Sequence, residues 1–276
     1  MMQLRSHTIL PRLGRTTLLS LLLAVGSPVV TVVLEGCSGS NQTSGRRLTL
    51  HTRVGVADNA RSFTTPLGWH VTLQHAVIAG GPLYYFDGAP PLVQRRSTSE
   101  WRLAQRWFGL TVAHAHPGHY QAGNALGQML EPWSTDLFDG SQVLPDGDGV
   151  SGNYRSARFS FHAQPNAAVA EVTGMAERDG DDTRFFRATA EFADVAKSAT
   201  EAGVDGCEFR EANIDADGTV NLEVHPEVWF ELVDFSEARV GASETPVEFE
   251  VDSQPKLAFV QGVAQLSAYK FSFTAD

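Results

Sequence analysis

The stretch WHVTLQHAVIA, residues 69–79, alternates along its length. Trp69, Val71, Leu73, His75 and Val77 fall on one face, with His70, Thr72 and Gln74 on the other. A period of two marks a half-buried β-strand, because successive side chains point to opposite faces of a sheet. The same period recurs on both sides of this stretch. Leu48, Leu50 and Val54 share a face of residues 47–56, Phe159 and Phe161 share another, and residues 170–176 and 185–192 follow. Val220, Leu222 and Val224 alternate with Asn221 and Glu223, and residues 228–235, 247–251 and 265–273 complete the set. Turn-forming runs sit between these segments: DGDG at 146–149, RDGDD at 178–182 and DADG at 215–218. They read as hairpin loops. Helical signal is thin. In Ser97–Phe108, Trp101, Ala104, Trp107 and Phe108 are helically spaced, and Gly109 can end the helix. Residues 193–202, closed by Gly203, form a weaker candidate, and Ser253-Gln-Pro-Lys256 opens either a third short helix or a strand. About nine strands with so few helices predict an all-β fold. The expected architecture is an antiparallel β-sandwich, or two packed β halves, with one to three short helices.

The chain has 276 residues, 42% apolar and 19% charged, which is ample for a large core. Its 21 basic and 32 acidic residues give a net charge of −11. Nucleic-acid binding needs a basic stripe for phosphates, so the composition argues against a nucleic-acid partner. Two cysteines exclude a disulfide framework.

Residues 1–15 carry Arg5, Arg12 and Arg15 and no acid; residues 16–34 are almost wholly apolar, and Leu34-Glu35-Gly36-Cys37 follows. A basic start, an apolar run and a small residue before a cut describe a secretory signal. A 19-residue membrane anchor is the alternative, since roughly 20 apolar residues span a bilayer. Gly26 and Pro28 within the run, and the cysteine at its end, favour the signal. The segment resembles the lipobox of bacterial lipoproteins, with Leu34 at −3, Gly36 at −1 and Cys37 at +1. Glu35 stands at −2, where the family places a small or apolar residue. The resemblance implies a diacylglycerol on Cys37, which becomes the new N-terminus and attaches the protein to the membrane. Ser38 is not the aspartate that marks inner-membrane retention in that family, which implies the outer membrane, facing the periplasm or the cell surface. Residues 1–36 are then a signal peptide and the polar residues 37–46 a flexible tether. Residues 47–276 form a β-rich periplasmic domain. Without the first 36 residues, the chain has 240 residues and a net charge of −13. Cys207 would have no disulfide partner, and burial beside Phe209 is its expected state.

Three of the nine histidines fall within six residues, in LTVAHAHPGHY at 110–120. If 110–116 is extended, His114 and His116 point the same way, and Pro117-Gly118 can turn His119 back toward them. Imidazole is the commonest ligand for Zn and Cu, and three converging rings make most of a tetrahedral or tetragonal site. His75, on the inward face by alternation, is the expected added ligand; Asp136, His70 and His162 are weaker candidates. The alternative is a set of individually satisfied or solvent-facing histidines.

The spacing of His114, His116 and His119 is similar to the HxHxDH motif of metallo-β-lactamase hydrolases, and Phe86-Asp87-Gly88 loosely resembles the acidic turn that precedes it. The family's activity would imply two zincs, a bound hydroxide and an αββα fold. Gly118 replaces the motif's aspartate, and no Gly-His pair follows downstream. Residues 213–218 resemble half of an EF-hand loop, but Val224 occupies the position of the bidentate acid, so a turn is expected there. No G-x-S-x-G nucleophile elbow is present. The expected function is non-enzymatic binding of Zn or Cu by an envelope lipoprotein. The alternatives are a metal-free structural or interaction lipoprotein and a metallo-β-lactamase-like zinc hydrolase.

Overall fold

A computed structural model describes residues 45–58, 60–91, 120–163, 168–199, 202–243 and 245–276. The signal peptide, Cys37, residues 37–44 of the tether, the helix expected at 97–108 and the histidines at 114, 116 and 119 lie outside the described residues.

The alternating segments form one mixed sheet of thirteen strands. These are β1 (Arg47–Val56), β2 (Ser62–Thr64), β3 (His70–Phe86), β4 (Ala125–Met129), β5 (Trp133–Asp136), β6 (Gln142–Val150) and β7 (Gly152–Phe161), followed by β8 (Ala170–Glu177), β9 (Arg184–Ala190), β10 (Gly203–Ile214), β11 (Gly218–Val224), β12 (Val247–Glu248) and β13 (Tyr269–Ala275). Three short helices occur among the described residues: α1 (Phe192–Ser198), α2 (Pro226–Trp229) and α3 (Gln254–Val263). The fold is all-β and sandwich-like, as the alternation predicts. Most pairings are antiparallel; β1–β11, β10–β13 and β9–β12 are parallel.

β3 organises the sheet because its two halves have different neighbours. Residues 70–78 pair with β8 on one edge, while β2 and then β5 take the other. Beyond Gly80, β7 takes over the edge of β8, and β4 that of β5. A Cβ on Gly80 would lie 2.7 Å from Trp133 and 2.8 Å from Phe159, so only glycine fits where the neighbours change. From this second half, ladders run β3–β4–β6–β1–β11–β13–β10–β7 and return to β3. The ring is closed and leaves none of its eight strands as a free edge over those ladders.

Aromatic side chains fill the interior. Phe159 stacks on Tyr269 with centroids 4.1 Å apart, and Tyr85 meets Tyr154, Phe209 and Phe271 at 5.9–6.3 Å. A second group, Phe186, Phe230, Phe235 and Phe249, continues the same core. Ser253 caps α3, accepting from the Lys256 N–H, and Pro255 sits in the first turn, so this segment is a helix and not a strand. The buried Lys256 Nζ donates to the Thr189 carbonyl at 2.7 Å and Oγ1 at 2.9 Å, tying α3 to β9.

Several segments differ from expectation. Residues 228–235 form α2 and a 3-10 turn at Phe235–Glu237 in place of a strand. Pro226 starts the helix. Trp229, Phe230, Val233 and Phe235 are all buried, so one-sided alternation is absent. Asp146-Gly147-Asp148-Gly149 lies inside β6 and is not a loop. A Cβ on Gly149 would come within 2.7 Å of both Leu50 and the Tyr154 hydroxyl, so this glycine admits close packing and does not mark a turn. Residues 178–182 do join paired strands, β8 and β9. Residues 215–217 turn the chain from β10 to β11, but β13 inserts between those strands, so the unit is not a hairpin.

Candidate functional site

The segment carrying His114, His116 and His119 leaves after β3 and returns before β4. The described residues at its two ends form a stem. The Asp87 N–H donates to the Asn124 carbonyl at 3.2 Å, and the Gly88 N–H to the Ala122 carbonyl at 2.8 Å. The Asp87 carboxylate also grips Asn124, accepting from its backbone N–H at 2.7 Å and its side-chain amide at 2.8 Å.

Further along, the stem lies on the sheet. Ser156 of β7 is fully buried and donates its hydroxyl proton to the Gly88 carbonyl at 2.6 Å. A hydroxyl has one proton to give, so the 2.6 Å contact between Tyr120 and Ser156 has Tyr120 as donor. Burial pushes the Tyr120 phenol up from its ordinary value, which keeps the donating proton in place. Pro91 and Tyr120 meet over Gly206, at a bulge of β10. Gly206 has φ +77°, and a Cβ there would come within 2.7 Å of Pro91 and 3.3 Å of Tyr120. Both ends of the 92–119 segment are therefore fixed at one place. Beside them is a cleft of about 340 Å³, lined by Pro91, Tyr120, Ser198, Val204, Asp205 and Leu266 among others. Arg158 Nη1 reaches both Asp205 oxygens, at 3.1 and 3.2 Å.

His75 does not face inward. The β3–β8 register shifts between Leu73 and His75, and this bulge moves the buried face from Val71 and Leu73 to Ala76 and Ile78. The His75 side chain is 71% exposed, with Nδ1 3.0 Å from Asp136 Oδ2. Burial alone would raise the Asp136 pKa, but hydrogen bonds from the Phe138 N–H, His75 and the Ala76 N–H outweigh it and hold the carboxyl below its usual range. His70 Nε2 meets Ser62 Oγ at 3.2 Å, away from this pair.

Among the described residues, no group of three or more His, Cys, Asp or Glu side chains is placed to hold a metal ion. His225 lies between Glu223 and Glu227 at 2.8 and 2.7 Å, but its two ring nitrogens face different carboxylates, so they cannot share one ion. Asp217 of the EF-hand-like run accepts from the Thr49 N–H at 2.9 Å, which accounts for it as a turn clip. Cys207 is buried, and desolvation pushes its thiol up to about 12, leaving it an inert core residue. Asp87, in the turn likened to that of the hydrolases, is engaged by Asn124. The all-β fold of the described residues is not the αββα layout that such a hydrolase requires. Ser156 and Gly206, which seat the stem, carry no local signal in the sequence, because their partners lie far away along the chain.

No family model, curated protein or solved structure matches this chain.

Proposed function

We propose that this protein is exported, anchored by lipid on Cys37 at the outer membrane, and binds Zn or Cu non-catalytically through His114, His116 and His119. Sequestration, delivery or structural stapling are the roles open to such a site. The observation that carries the reading is the stem. His119 directly precedes Tyr120 in the sequence, and the Tyr120 hydroxyl is held by Ser156, so the residue next to that histidine is a fixed point. Pre-ordering that point reduces the entropy lost when the ligands converge.

His75 supports the reading in a second way. Its Nδ1 rests on Asp136, the carboxylate–histidine arrangement that orients a metal-bound imidazole and leaves Nε2 as the ligand. His75 lies roughly 35 Å before the end of β3 at the usual rise per residue, so it joins the site only if the 92–119 segment reaches back along the strand.

The test is metal analysis of protein purified without a polyhistidine tag. Bound Zn or Cu is expected in the wild type and is lost in His114→Ala/His116→Ala; unchanged content in that variant overturns the proposal. His75→Ala separates a three-histidine site, which keeps its metal, from one that needs the fourth ring. Acyl labelling that disappears in Cys37→Ser tests the anchor independently.

A metal-free interaction lipoprotein is the second reading. It is favoured by the exposed side chains of Leu232, Val251 and Leu257, which occur around the start of α3. It predicts only background metal in the wild type.

A further inference from the structure

The cleft beside the stem has a chemistry of its own. Its walls are mostly apolar: Pro91, the Tyr120 ring, Val204, Ala264 and Leu266. At about 340 Å³ it lies near the lower end of the roughly 300–1,000 Å³ typical of small-molecule sites. Among its described lining residues Asp205 is the one carboxylate, with a side chain 34% exposed, and the Arg158 guanidinium paired to it stands against Gly203 in the same wall. Two helices also end on it: Ser198 is the last residue of α1, and Ala264 closes α3. The last carbonyls of a helix lack intrahelical donors, and that end carries partial negative charge. Arg158 holds the Asp205 carboxylate through a single nitrogen shared by its two oxygens. A carboxylate accepts about four hydrogen bonds, so acceptor capacity remains for a ligand.

We propose that this cleft binds a small organic cation of the alkylammonium or guanidinium class, with Asp205 as counter-ion and the Tyr120 ring as one wall. An anion would meet Asp205 and two negative helix ends, and the one cation near them, Arg158, is already committed to the Asp205 carboxylate. A neutral apolar molecule would leave the exposed part of the carboxylate without a new partner. A cation with a short alkyl stem satisfies the charge at one end and the apolar walls along its length. This site does not depend on the metal proposal, since it uses neither His75 nor the 92–119 segment.

Titration calorimetry of the full chain with propylguanidinium and with propylurea, its uncharged isostere, tests the inference. Saturable binding of propylguanidinium is expected, with propylurea at least about tenfold weaker, as for loss of a charged hydrogen bond. Asp205→Asn should weaken propylguanidinium by about the same factor. Ala264→Leu should abolish binding by filling the cleft without touching Asp205, and it decides the matter if Asp205→Asn fails to fold. Absence of binding to the wild type overturns the proposal, as does propylurea binding as tightly as propylguanidinium. Full retention of binding in the folded Asp205→Asn or Ala264→Leu variant does the same.

Discussion

In the ring interior, Phe159 and Tyr269 stack at 4.1 Å among side chains with almost no exposure. In the stem, Asp87, Asn124, Tyr120 and Ser156 are joined by polar contacts of 2.6–2.8 Å, several of them open to solvent. The ring is held by area removed from water, spread over many neighbours. The stem is held by a few directional bonds and by the shape of Gly206. Loss of one ring aromatic should therefore be felt by the whole domain, whereas loss of one stem contact should be felt where the 92–119 segment begins and ends.

The largest expected effect is Tyr269→Ala. It removes the stacking partner of Phe159 and the hydroxyl that donates to the Val263 carbonyl at 2.8 Å. Deletion of a buried aromatic costs about 3–5 kcal/mol. Urea unfolding should show that loss as a lower midpoint for the domain as a whole. A midpoint near wild type would mean that the ring is not the unit that sets stability.

Asp87→Ala should cost less and act locally. It removes two hydrogen bonds to Asn124, each worth about 0.5–1.5 kcal/mol or somewhat more for a charged acceptor. Amide exchange should accelerate at residues 88 and 120–124 while the strands of the ring keep their protection. Exchange that rises equally in the ring and the stem would erase the distinction between them.

The same contrast explains what could be read from the sequence. β1 and β11 were legible because the ring buries one side of each, so Leu48, Leu50 and Val54, or Val220, Leu222 and Val224, keep an unbroken period. β3 was legible only as far as Leu73. Its bulge, invisible in composition, turned His75 outward and brought in Ala76 and Ile78. β10 escaped notice because two register shifts and the positive φ of Gly206 break its pattern. Those irregularities seat the stem. The candidate site was therefore legible as residue types, three histidines and an acidic turn, but not as a place. Its support comes from Ser156 and Gly206, which carry no local signal.

The smallest expected effect lies outside both regions, on the exposed face of β1. The side-chain hydrogen bond to Asp146 at 2.7 Å, with the charge of that same carboxylate, holds the His51 pKa above its usual 6.5; Asp276 and Asp217 add to the shift. A folded-state pKa raised above the unfolded one means that protonated His51 favours the folded state. Its contribution is complete below 6.5 and disappears as pH rises through the higher folded value. Wild-type stability should therefore decline slightly from just below 6.5 upward relative to His51→Gln, and the two curves should run parallel below that window. Because the pair is solvent-exposed, the difference should shrink in high salt. A difference that persists there would place His51 in a drier setting than the rim of the ring.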